Sequence, residues 1–140
     1  MNSPLGCGTK QAAAAFVLAT AMTATLTMGR AEAQSDSLEG SWSGGGQIVF
    51  PSGETEKARC RASFRRQGGN SFGMSAICAT ASARVQQTAE VTRVSGNRFR
   101  GEFFNAEFGI TGSIRITLTG NRLSASLSGG GGSAQFSLRR

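Results

Sequence analysis

The residues of this chain that could do chemistry are few and mostly of one kind. The 140 residues include no histidine and no tyrosine, so no Ser-His-Asp or Cys-His arrangement can form. Glu54 and Glu56, in "SGETEK", are two apart and share a face of an extended strand. That spacing would in principle allow an acid/base pair, but the expected reading is a solvated strand start beside a turn. "SGGGG" at 128–132 is glycine-rich but leads into a strand pattern. It lacks the strand–loop–helix setting of a phosphate loop. These features imply no enzyme and no cofactor.

Arginine is the informative residue. The chain has 15 basic and 8 acidic side chains and a net charge of +7. In "EKARCRASFRRQ", Lys57, Arg59, Arg61 and Arg65 recur at even spacing and point to one side of a strand. Arg66, Arg93, Arg98, Arg100, Arg122, Arg139 and Arg140 gather around three repeated Gly-Asn cues. Guanidinium groups in such numbers suit multidentate contact with an anionic partner. They also suit solubility and protection of strand edges. Arg59, Arg61, Arg65, Arg66, Arg98, Arg100, Arg122 and Arg140 form the candidate binding set. Anionic envelope polymers and acidic protein surfaces are the expected partner classes. Nucleic acid is the least favoured, because aromatic stacking residues are few.

The elements that position these side chains are strands. Apolar residues alternate with polar ones in "KARCRASF", "SFGMSAICA", "RFRGEFF", "GITGSIRITL" and "RLSASLS", the period of an antiparallel sheet with one wet face. Eight strands are expected. The segment near 84–94 fits less well, since Val94 is out of phase with Val85, Ala89 and Val91. A bulge near 92–94 restores the phase. "GGNSF" (68–72), "SGNRF" (95–99) and "TGNRL" (119–123) close the hairpins between strands two and three, four and five, and six and seven, with Gly-Asn supplying the positive backbone angles of a tight turn. In an up-and-down meander all three turns lie at one end. Closure into a small barrel removes the two free edges, and Gly44, Gly46, Gly101 and Gly112 at inward positions suit strongly bent strands. Phe50, Phe64, Phe72, Phe99, Phe103 and Phe136 favour a filled interior over a cavity.

Residues 1–33 read as a secretory signal peptide: an apolar run, "AAAAFVLATAMTATL", then "AEA" at the cleavage site. The mature chain would begin at Gln34 with a short tail to Leu38, then a domain over 39–140. No later apolar run is long enough for a transmembrane helix. The location implied is periplasmic or secreted, and a monomer is expected. Cys60 and Cys78 remain after cleavage, and an even count in a small exported domain reads as a disulfide. A zinc site would need more ligands than this sequence offers. Centring the hairpin on Gly69 sets Cys60 opposite Cys78, Ala62 opposite Ala76 and Phe64 opposite Met74, so a cross-strand bond is geometrically feasible.

At "LEGSW" (38–42) the chain resembles the calycin superfamily, which includes lipocalins, avidins and small bacterial metalloprotease inhibitors. Gly40-Ser41-Trp42 matches its Gly-x-Trp opening. The resemblance implies a late arginine stacked on the tryptophan, and Arg140 in "FSLRR" is placed to supply it. The inhibitor group has a comparable size, a signal peptide, one disulfide and an N-terminal tail that enters the protease cleft. Residues 34–38 would be that tail. The cysteine spacing and the Gly-Asn turns depart from that group. Surface binding of an anion, protease inhibition through the tail, and carriage of a small apolar ligand inside the barrel are thus the three expectations.

Overall fold

The computed structural model describes residues 37–140; the expected signal peptide and cleavage site lie outside them. Eight strands run in chain order: β1 (Gly40–Val49), β2 (Thr55–Gly68), β3 (Ser71–Ala79), β4 (Arg84–Ser95), β5 (Arg98–Asn105), β6 (Ile110–Thr119), β7 (Arg122–Gly129) and β8 (Gly132–Arg139). Each pairs antiparallel with the next, and β1 pairs with β8, so the meander closes into a barrel.

Closure depends on the first strand. Gly44 pairs with Leu138 and Gly46 with Phe136. A Cβ on Gly44 would collide with the Ser137 carbonyl, and one on Gly46 with the Gln135 carbonyl and the Phe136 ring. Glycine at these positions lets β8 approach the bent β1 closely enough to form its ladder.

The hairpin register matches the sequence-based expectation. Cys60 faces Cys78, Ala62 faces Ala76 and Phe64 faces Met74. The Cys60–Cys78 disulfide is formed, with a Cα–Cα distance of 4.1 Å. The expected bulge in β4 is also present: its register with β5 shifts between Arg93 and Ser95, and Val94 is left exposed.

The three Gly-Asn turns differ in one respect from the expectation. Gly69 and Gly120 have φ of 52° and 56°, in the left-handed region that favours glycine. Gly96 is not among the positive-φ glycines. The slip at Arg93–Ser95 reshapes the end of β4 before that turn. All three turns share a second feature. The main-chain carbonyls of Asn70, Asn97 and Asn121 accept the backbone N–H groups of Arg93, Leu118 and Arg140. Each turn is thereby tied to the end of the strand beyond its own hairpin. The residue two after each asparagine enters the core: Phe72, Phe99 and Leu123 are all fully buried. The repeated cue thus turns the chain, ties it to the neighbouring strand and places an apolar side chain inside.

That end of the barrel is plugged. Trp42, Leu38, Phe72, Phe99, Val91, Leu118 and Leu123 are buried there, and the Phe72 and Phe99 rings meet edge to face at 5.6 Å. Leu38, expected in the N-terminal tail, is a core residue with no exposed surface. The Trp42 indole N–H donates to the Leu38 carbonyl at 2.9 Å. This satisfies the indole's buried polar group and pins the entering chain across the barrel end.

Candidate functional site

The candidate arginines fall into groups that the linear sequence does not separate. Arg66 and Arg140 are lids on the plugged end. The Arg140 guanidinium lies 4.3 Å from the Trp42 ring and donates to the Ser37 carbonyl. Arg66 lies over Phe72 at 5.3 Å and donates to the Gly69 carbonyl. Arg93 completes the set over Phe99 at 4.9 Å. These cation–π contacts cover the edges of the aromatic plug. The Arg140–Trp42 stack is the one that the Gly-x-Trp resemblance implied.

Arg65 and Arg100 flank a broad concavity of about 1030 Å³ on the outside of the barrel, over β3–β5. Its floor carries Glu90 and Glu102, which are directly opposite each other on β4 and β5. The field these two arginines present is therefore mixed. Arg98 sits on the outer side of β5, opposite Thr117.

Arg59, Arg61 and Arg122 belong to a different surface. Among the described residues, the outward positions of β6, β7, β8, β1 and β2 contain no acid and no aromatic ring. They carry Lys57, Arg59, Arg61, Arg65, Arg115, Arg122 and Arg139, and otherwise chiefly serine, threonine and glutamine. The ladders set these side chains in rows. Arg122 is opposite Arg139, Arg139 is opposite Ser43, and Ser43 is opposite Arg61. The next row runs Ser124, Ser137, Gly45, Arg59. Arg100 also faces Arg115 across β5 and β6, at the border of this surface. With strands about 4.8 Å apart, Arg139 and Arg61 are separated by roughly 10 Å across the sheet. Sequence reading grouped Arg139 with the Gly-Asn end but missed its place in this row, and missed Arg115 altogether. Both depend on register across strands that follow no local cue, and for Arg139 on the closure of β8 against β1.

The acids lie elsewhere. Glu54 is exposed in the β1–β2 turn. Glu56 is bound to the β3–β4 turn, where the Ser82 hydroxyl meets its carboxylate at 2.7 and 2.9 Å. Hydrogen bonds from Thr80 and Ser82 hold the Glu56 carboxyl below the ordinary carboxylate range. Glu54 and Glu56 thus have different surroundings, and Glu56 is engaged in joining β2 to the β3–β4 turn.

The far end of the barrel, opposite the Gly-Asn turns, is not plugged. It opens into an apolar cavity of about 330 Å³. The phenylalanine-filled interior expected from the sequence therefore describes one end only.

No protein-family model matches the chain, and no curated protein matches it. Its fold is shared by solved structures of designed barrels. A redesigned β-barrel, mFAP1 bound to DFHBI, superposes with a TM-score of 0.63 at 12% identity, over 74% of this chain and 94% of that one. A second, mFAP0 bound to DFHBI, gives 0.62 at 13% identity, over 74% and 98%. A de novo designed fluorescence-activating β-barrel gives 0.59 at 11%, over 76% and 95%. At such identities the likeness is one of fold, and the chain is an eight-stranded antiparallel β-barrel of the small, closed kind.

Proposed function

We propose that this protein is a non-catalytic, exported binding protein that holds an anionic polymer against the outer face of β6, β7, β8, β1 and β2. One observation carries the reading: among the described residues, the outward positions of five contiguous strands hold seven cations and no acid, and Arg122 and Arg139 are paired directly. Like charges placed opposite each other cost stability. A carboxylate, sulfate or phosphate seated between two guanidinium groups converts that cost into charge-assisted hydrogen bonds. The serine, threonine and glutamine side chains between the arginines supply hydroxyl and amide partners for a hydroxyl-rich polymer. A protein partner is less well suited, since the face lacks the aromatic anchors on which protein interfaces concentrate their energy.

The inhibitory reading has less support. Of the expected tail, Ser37 is held by Arg140 and Leu38 is buried, so these two residues are committed to the barrel end.

Binding of dextran sulfate, with uncharged dextran as the control, tests the proposal. Affinity for the sulfated polymer is expected to fall steeply as salt rises, because binding releases counterions. Replacing Arg61, Arg122 and Arg139 together by serine is expected to abolish it with the fold intact. Equal binding by parent and triple variant would remove this face as the site.

A further inference from the structure

The open end of the barrel has features of a ligand site independent of the basic face. From the structure we infer that it binds one small, uncharged molecule, flat or short-chained and largely apolar, with a single hydrogen-bonding edge.

Three observations lead there. First, the cavity is built. Phe103 forms its inner wall, and the ring of Phe103 occupies space that glycine leaves free on β6 and β7. A Cβ on Gly112 would stand 2.6 Å from Phe103 Cε1, and one on Gly129 would stand 3.2 Å from Cζ. Gly112 and Gly129 are themselves paired across the two strands. The ring is therefore drawn against the barrel wall, and the mouth stays open.

Second, the lining selects for an uncharged ligand. Ile48, Val85, Ile110 and Leu127 are among its apolar walls, and Phe50 and Phe108 help form its rim. No lining residue carries a charge. A charged ligand would lose its hydration here and gain no counter-charge. Polar contacts are restricted to a few groups. Gln87 takes an inward position on β4 and is only half-buried. Asn105 is buried, and its side-chain carbonyl accepts the Phe108 backbone N–H at 3.2 Å, which leaves its amide N–H groups for another acceptor. An apolar cavity with a few placed amides is the usual composition of a small-molecule site.

Third, the depth is limited. Beyond Phe103 the interior narrows to a void of about 30 Å³ between the Cys60–Cys78 disulfide and the walls of β6–β8. A long chain cannot thread the barrel. The 330 Å³ mouth lies at the small end of ligand cavities, which run from ~300 to ~1,000 Å³.

The test uses N-phenyl-1-naphthylamine, an uncharged two-part aromatic whose emission rises in apolar surroundings. The expected result is a saturable rise with one site per chain. Ala134→Phe fills the cavity from the β8 wall and Phe108→Ser removes part of the rim. Each is expected to weaken binding by about tenfold or more, in line with the burial worth of a phenylalanine or the loss of its space. Phe108 is 56% exposed, so its replacement tests the site even if Ala134→Phe fails to fold. The Arg61/Arg122/Arg139 serine variant is expected to bind the dye as the parent does, which separates this inference from the polymer reading. No saturable rise, a rise indifferent to Phe108→Ser, or one dye per two chains would each overturn it, the last by placing the dye between copies.

Discussion

Arg122 and Arg139 stand directly opposite each other on the outer face of β7 and β8, with Ser43 and then Arg61 continuing the row. A pair of guanidinium groups in this position works against the sheet that holds it. The arrangement makes sense physically if the face spends part of its time covered by anions. It leads to a prediction in which stability and binding change in opposite directions.

Arg139→Ser is expected to leave stability at low salt unchanged or raised by about 0.2–1 kcal/mol, the range of cross-strand pair effects. Dextran sulfate should raise the melting temperature of the parent, and raise that of the variant less. Thermal melts with and without polymer measure both. A variant that is destabilised yet gains as much from the polymer as the parent would contradict the account.

Arg140→Ala removes the cation over Trp42 and the hydrogen bond to Ser37. A loss of about 1–2 kcal/mol is expected from a contact of this kind. Trp42 is the only tryptophan in the chain, so its fluorescence reports the change directly. The emission should shift to the red as water reaches the indole.

Gly46→Val tests closure. The added side chain meets the Gln135 carbonyl and the Phe136 ring, and a destabilisation of about 1–3 kcal/mol or more is expected from overpacking. Gly96→Ala serves as the control, because nothing lies within 4 Å of the added methyl. Denaturant unfolding of the two variants should separate them clearly.

Removal of the disulfide by Cys60→Ala with Cys78→Ala should cost roughly 3 kcal/mol on the chain-entropy estimate for a loop of this length. The two cysteines are 18 residues apart. The β2–β3 register is otherwise held by the hairpin turn, so the variant should fold to the same barrel with a lower melting temperature. Near-ultraviolet circular dichroism and a melt decide this together.

Glu56 gives a pH dependence whose sign follows from its lowered pKa. A carboxyl depressed on folding contributes stability above its unfolded pKa of about 4.3. That contribution is lost as pH falls through the lower folded value. The group is solvent-exposed, so the effect is small. Glu56→Gln should flatten the acid side of the melting curve, and should change little at neutral pH beyond the loss of one exposed interaction.

The sequence by itself determined the strand count, the turn positions, the inward and outward faces, the disulfide and the end of the barrel at which the hairpins turn. All of these rest on local physics. Period two assigns faces residue by residue, and a tight turn sets the register of the two strands that it joins. The bulge after Thr92 was legible for the same reason, because Val94 broke the period. The stack of Arg140 on Trp42 was implied by the Gly-x-Trp resemblance, and an even number of strands, returning the chain to the end where it began, placed Arg140 to make it.

Tertiary structure decided the rest. Arg122, Arg139 and Arg61 become neighbours only when β8 meets β1, and glycines 44 and 46 permit that meeting by their backbone approach, which no alternation pattern records. Leu38 is committed to the core, and Arg66 covers the ring of Phe72, its cross-strand partner, rather than the open surface. The far end is hollow where the Phe103 ring lies against Gly112 and Gly129 of the neighbouring strands. A side chain's face follows from its position in a strand; the direction in which it leans, and the space it leaves, follow from neighbours that only the closed sheet brings into contact.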